Sequence, residues 1–263
     1  MWGSMGRAPR TAAQGWLYCY AMSDRIYPPV IALAKASFRL LSMRITVEGA
    51  EHVPASGGAV IASNHISYLD FIFAGFGAWP ARRLVRFMAK KEIFDNRYAG
   101  PLMRGMHHIP VDRDAGLSSY KAALAALKSG EVVGVFPEAT IDQSFTVKDI
   151  KSGAARLAAT TGVPLIPMAL WGTQRFWTKG RPRNLLQRNI PVTILVGEPM
   201  HPARRDKQED VAAELRLRMK ALLNRAQQDY PDKPRGPEDS WWLPAHLGGS
   251  APEPQSIEET EDE

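Results

Sequence analysis

The chain has 263 residues, 45% of them hydrophobic, enough for one sizeable α/β domain and too few for two ordinary domains plus tails. Its 33 basic and 27 acidic residues give a net charge of +6; residues 251–263 hold six acids and no base, so the first 250 residues set 33 bases against 21 acids, or +12, a balance suited to an anionic surface or a phosphorylated ligand. The single cysteine, Cys19, lies far from every motif and excludes a disulfide framework and a Cys-based metal site, and no zinc finger or aromatic-rich RNA-binding block speaks for a nucleic-acid partner.

Residues 1–23 are expected to be disordered or to precede the natural start, for which Met22 is a candidate; residues 1–21 lack the succession of a signal peptide. Residues 24–45 are read as a membrane-associating helix. Its apolar run over 27–43 is marked by Lys35 and Arg39, flanked by Arg25 and Arg44, and too short for the ~20 residues a bilayer span needs. An interfacial anchor on an anionic leaflet is the expectation, with an ordinary amphipathic helix packed on the domain as the alternative.

Residues 46–230 are expected to form the main domain. Strand candidates fall near 59–63, 84–89, 108–111, 132–136, 165–170 and 192–197, with helices in the intervals, which predicts an α/β fold: a mixed, mostly parallel sheet with helices on both faces. Directly after the first strand comes Asn64-His65-Ile66-Ser67-Tyr68-Leu69-Asp70. Ser67 and Asp70 have the spacing of a capping box, which places Asp70 in the first helical turn facing back toward His65. A histidine held by a carboxylate is how a general base is built, since the carboxylate fixes the tautomer and stabilises the imidazolium. The same residues also suit a plain helix cap and turn.

His107 and Asp112 repeat the spacing, but Pro110 breaks a helix there and residues five apart on an extended segment point to opposite faces. That pair is read as coincidence. The basic run from Arg82, Arg83 and Arg86 to Lys90 and Lys91 suits phosphates, an acidic carrier or a solvated rim equally. Gly116–Lys128 turns Tyr120, Ala123, Leu124 and Leu127 to one face, and 152–161 offers Ala155, Leu157 and Ala158. Val132 to Val135 then runs into Phe136-Pro137-Glu138-Ala139-Thr140, an abrupt polar strand end of the kind that forms a site. A charged helix over 206–230 keeps Val211, Leu215, Met219, Leu222 and Leu223 on one side. Residues 231–263 read as a Pro-rich and then acidic tail, largely disordered, with Trp241-Trp242 either docked on the domain or at a membrane interface.

Four blocks in fixed order, Asn64 to Asp70, Ile109 to Arg113, Phe136 to Thr140 and Val163 to Pro167, resemble the lysophosphatidate acyltransferase family of glycerolipid acyltransferases, over roughly residues 30 to 200. The resemblance implies that His65 is the general base that deprotonates the acceptor hydroxyl and Asp70 its partner. It implies substrate binding by Asn64, Ser67, Arg113, Glu138, Thr140 and Lys151, with Arg113 and the Glu138 region on a glycerol phosphate. The family commonly reads Phe-Pro-Glu-Gly-Thr-Arg in its third block; here Ala139 replaces the glycine and Ile141 the arginine. A butyl group cannot bind phosphate as guanidinium does, so other cations are expected, Arg113 first, then Lys151 and Lys148, with Lys90 and Lys91 further off.

The implied reaction moves an acyl group directly from acyl-CoA or acyl carrier protein to 1-acylglycerol 3-phosphate, giving phosphatidate, with no cofactor and no metal. The enzyme is expected to sit as a peripheral protein on the cytoplasmic face of the cell membrane. Alternatives are another lysophospholipid or glycolipid acceptor, and a lipid-binding protein that keeps the fold without turnover. His52, His107, His108, His201 and His246 lack the grouped spacing that a metal-dependent phosphoesterase needs.

Overall fold

The computed structural model describes residues 24–112 and 116–254. Cys19, the proposed start at Met22, Arg113 and the acidic end beyond residue 254 lie outside the described residues.

Chain order is α1 (Tyr27–Leu40), β1 (Arg44–Glu48), β2 (Ala59–Ser63), α2 (Asp70–Gly77), β3 (Val85–Lys90), α3 (Lys91–Asp95), α4 (Ala99–Gly105), β4 (Ile109–Val111), α5 (Gly116–Lys128), β5 (Val132–Val135), α6 (Gly153–Thr161), β6 (Leu165–Trp171), β7 (Pro191–Val196) and α7 (Gln208–Gln228). The strands form one seven-stranded sheet in the order β1-β7-β6-β2-β5-β3-β4. Every pair is parallel except β6 with β7. The expected mixed, mostly parallel sheet is thus present, and the six strand candidates correspond to β2 through β7.

Helices cover both faces because the central strands are buried on both. Along β6, Leu165, Ala169 and Trp171 join one core with residues of α5, α6 and α7, whereas Ile166, Met168 and Leu170 join another with Phe73 and Ala74 of α2. The period of two decides which residue meets which layer. β1 escapes a pattern search because it is an edge strand of five residues that starts on Arg44 and ends on Glu48. The short helices α3 and α4 carry no long apolar period and were likewise outside the expectations.

Helix α1 ends at Leu40 rather than at 43, since Ser42 turns into the left-handed region at φ 51°. Pro28 and Pro29 open it, where a missing N–H costs no helical bond. Among the described helices none is long and apolar enough to cross a membrane.

Two expectations are corrected. In the basic run, Arg83 and Arg86 are buried, 5% and 2% exposed. Arg83 donates to the carbonyls of Pro54, Gly57 and Gly130, and Arg86 is held by Asp24, Glu131 and the Met106 carbonyl. Neither reaches a phosphate or solvent. The second concerns the C-terminal stretch, where residues 231–254 pack on the domain instead of forming a loose tail. Trp242 is 1% exposed against Trp171 and Tyr230, so the segment seats a large aromatic side chain in the domain core.

Candidate active site

Strands β2, β5 and β6 lie side by side and parallel, so their C-terminal ends emerge at one edge of the sheet. β2 delivers Asn64 and His65 there, β5 delivers Phe136 to Glu138, and β6 delivers Gly172 and Thr173. This is where a parallel sheet leaves a crevice between diverging loops.

His65 and Asp70 meet: Nδ1 lies 3.0 Å from Asp70 Oδ2. A carboxylate only accepts, so Nδ1 is the donor of this bond and Nε2 is the ring nitrogen left for a ligand, with the side chain 22% exposed. Asp70 Oδ2 also accepts the backbone N–H groups of Ile66 and Ser67, each at 2.7 Å, and Oδ1 accepts the Thr173 hydroxyl at 2.6 Å. The carboxylate is fully buried, and four donors stand where water would otherwise bond it. Half of the expected capping box is therefore real, as Asp70 reaches back to the Ser67 amide; the Ser67 hydroxyl instead donates to the Trp177 carbonyl. The repeat pair does not meet: His107 faces Asp24 at 3.8 Å and Asp112 faces Lys91 at 2.9 Å.

The imidazole stacks on Phe136, ring centres 4.3 Å apart and 20° from parallel. The backbone of His65 is pinned on both sides, its N–H donating to Glu138 Oε1 at 2.9 Å and its carbonyl accepting the Asp142 N–H at 2.7 Å. Main chain and ring are thus set before any ligand arrives, the preorganisation a base requires.

The remaining residues expected to bind substrate divide sharply. Asn64 is fully buried, exchanging both amide bonds with the backbone of Leu170. Ser67 is buried on the Trp177 carbonyl. Glu138 is 5% exposed and gives its two oxygens to the amides of His65 and Lys148. Burial, then the nearby charge of Asp142, push its carboxyl up to about 8. These three hold the chain rather than face a ligand. Thr140 is half-buried, its hydroxyl 3.3 Å from the Ile141 carbonyl. Lys151 is exposed, with its amide tied to the Pro137 carbonyl. Lys148 is turned toward Asp142 at 3.9 Å. Lys90 and Lys91 are exposed at the C-terminal end of β3, which runs parallel to β5 and ends at the same sheet edge.

Sequence reasoning missed Thr173 and the stacked Phe136. Thr173 announces itself only as the first polar side chain after a fully buried strand, in Trp171-Gly172-Thr173. It also missed a narrow apolar pocket, with a cavity volume of about 60 Å³, between α1, α2 and the start of β3, lined by Tyr27, Val30, Phe38, Phe71, Ile72 and His108, among others. A file of rings leads to it from the site: Phe136 stacks on Phe87 at 5.9 Å, and Phe87 meets Phe71 and His108, both in the pocket wall.

Residues 44–171 match the family model described as acyltransferase. A 1-acyl-sn-glycerol-3-phosphate acyltransferase of Bacillus subtilis (strain 168) is 33% identical over 203 residues, which take in 72% of this chain and 94% of the relative. The chain belongs to the 1-acyl-sn-glycerol-3-phosphate acyltransferase family. This acyltransferase is also 31% identical over 167 residues to a chloroplastic member from Arabidopsis thaliana, covering 62% of this chain and 45% of the plant protein. Its fold matches the crystal structure of the 1-acyl-sn-glycerophosphate acyltransferase PlsC from Thermotoga maritima, with a TM-score of 0.67 at 24% identity, over 78% of this chain and 81% of that one. The acyltransferase is thus a glycerolipid O-acyltransferase of phospholipid synthesis.

Proposed function

We propose that the enzyme transfers a fatty acyl group from a thioester, acyl-CoA or acyl carrier protein, to the free hydroxyl of 1-acylglycerol 3-phosphate, with His65 as general base. The observation that carries this reading is the His65–Asp70 contact, 3.0 Å long, at the sheet edge where β2, β5 and β6 end. The acceptor hydroxyl gives its proton to Nε2 as its oxygen bonds to the thioester carbonyl carbon. The tetrahedral intermediate then expels the thiolate, which takes the proton back from the imidazolium. Asp70 stabilises that imidazolium and keeps the ring in one tautomer. The reaction so drawn needs no cofactor.

The apolar pocket beside α1 has the chemistry to receive an acyl chain, since its wall is almost wholly hydrocarbon and aromatic. Helix α1 supplies both that wall and an outward face on which Leu33 and Leu40 are 69% and 72% exposed. We place that face on an anionic leaflet on the cytoplasmic side, where a lysolipid reaches the pocket without leaving the bilayer. Asn64, Ser67 and Glu138 act on the site through its backbone, which leaves Thr140, Lys151 and Arg113 as the residues nearest in sequence and chemistry to an acceptor headgroup.

A second acceptor is kept open by Ile141. It is buried, 7% exposed, where the family's arginine commonly stands, so the headgroup loses a bidentate partner for phosphate. The deciding assay is thiol release on anionic vesicles, with lysophosphatidate, other lysophospholipids and a glycolipid as acceptors. Turnover with lysophosphatidate alone is expected; turnover with a different acceptor alone makes Ala139 and Ile141 marks of altered specificity. His65→Ala is expected to lower turnover by ~10²-fold or more, and retention within tenfold of the parent removes His65 as base.

A further inference from the structure

Three of the four donors on Asp70 come from its own turn, within five residues of it. The fourth comes from 103 residues away: the Thr173 hydroxyl on Oδ1. A carboxylate bonded through one oxygen swings about that oxygen, and a donor on the other fixes its plane. Thr173 is fully buried, so its hydroxyl has no substrate to meet. The loop that carries it grips the His65–Asp70 turn again through two further hydroxyl bonds, Ser67 to the Trp177 carbonyl and Thr178 to the Ile66 carbonyl, each 2.7 Å.

What holds that loop is the C-terminal segment. Gln174 accepts the Gly172 N–H and donates to the Trp242 carbonyl at 3.1 Å. Arg175 pairs with Asp232 at 2.7 Å, reaches the Tyr230 hydroxyl and lies 4.6 Å over the Trp242 ring. Tyr230 in turn donates to the Pro191 carbonyl on β7. Gly172 sits at φ +97° with a Cβ position 2.2 Å from the Pro191 carbonyl oxygen, so the loop leaves β6 by one path. Thr173 and this brace lie beyond the segment 44–171 that matches the family model.

We propose that Thr173 is a positioning residue for acyl transfer, and that residues 230–251 are the brace that keeps its hydroxyl on Asp70. This rests on the reading of His65 as the base. The test is steady-state kinetics of the full chain on anionic vesicles, with melting temperatures for each variant. Thr173→Val is expected to lower kcat about tenfold with KM for donor and acceptor within twofold, and to move the acid limb of the kcat profile to higher pH. That direction follows because a carboxylate whose charge no hydroxyl shares favours the imidazolium. Thr173→Ser is expected to restore kcat to within threefold. In the His65→Ala background, Thr173→Val is expected to cost nothing further, because it acts through the ring.

The proposal fails if Thr173→Val matches the parent, if Val and Ser are equally slow, or if Val slows the His65→Ala enzyme by the same factor. An active His65→Ala enzyme is a different failure, that of the base itself. Asp232→Asn loosens Arg175 from near the surface without touching Thr173, and covers the case in which the valine variant does not fold. It is expected to lower kcat several-fold at unchanged KM; a fall in melting temperature alone, with kcat intact, removes the brace from the mechanism.

Discussion

Glu138 couples pH to stability through one side chain. Its carboxyl titrates at about 8 when folded against an ordinary 4.5, so between those values the folded protein keeps a proton that the unfolded chain has released. Stability from this group is present below 4.5 and lost as pH rises through 8. His108 acts oppositely: burial, then the Arg86 charge, lower it to about 4 from 6.5, so its contribution is present above 6.5 and lost as pH falls through 4. The two overlap in mild acid, which leaves pH 6.5 to 8 as the window where Glu138 acts without His108. Urea unfolding there is expected to show stability falling with pH in the parent and a flatter line in Glu138→Gln; equal slopes remove Glu138 as the cause. Next to it, Ala139 holds φ 63°, a left-handed turn that costs an alanine roughly 1 kcal/mol and a glycine little. That is the physical content of the family's usual glycine at this place.

At the scale of elements, the N-terminal helix is latched by charge. Asp24, 1% exposed just before α1, makes a bidentate pair with Arg86 of β3 at 2.8 and 2.7 Å, and Glu131 takes the remaining edge at 3.1 Å. Tyr27 adds a hydroxyl bond to the Val85 carbonyl at 2.6 Å. Such an ion cluster contributes little net energy compared with a well-packed apolar replacement, but removing one partner strands a buried charge. Asp24→Ala is expected to destabilise by about 3 kcal/mol in urea unfolding, the lower part of the usual range because Glu131 remains. The double variant with Arg86→Met is expected to regain much of that loss. A double variant no better than the single refutes the stranded-charge account. The latch also bears on the pocket, since α1 lines it together with α2 and with Val85, the residue that Tyr27 bonds.

For the whole molecule, the surface proposed to meet the bilayer is assembled from distant pieces. The amide of Asn189 bonds the Leu41 carbonyl at 2.9 Å, which brings the loop after Thr178 beside the end of α1. That loop carries exposed Arg181, Arg183 and Arg188 around Leu186, itself 83% exposed. Apolar side chains ringed by cations match an anionic bilayer. Vesicle sedimentation is expected to show binding that weakens as salt rises, by screening, and that drops roughly tenfold or more in Leu33→Glu with Leu40→Glu. Salt-independent binding, or none lost in the double variant, places the membrane elsewhere.

What was legible in the sequence was local. The apolar runs of β2, β5 and β6 are fully buried on both faces, so their pattern stands out without a partner. The His65–Asp70 contact spans a single strand-to-helix turn, a local geometry that the equally spaced His107 and Asp112 lack. What only the tertiary structure decided depends on residues far apart in the chain. Thr173 reaches Asp70 because β6 pairs beside β2, Arg86 reads as a surface cation until Asp24 closes on it, and Trp242 reads as part of a loose tail until Trp171 and Tyr230 give it a place. Periodicity reports which face of an element is apolar; it carries no record of what that face or a lone polar side chain will meet, because that contact is fixed by the order in which the strands assemble.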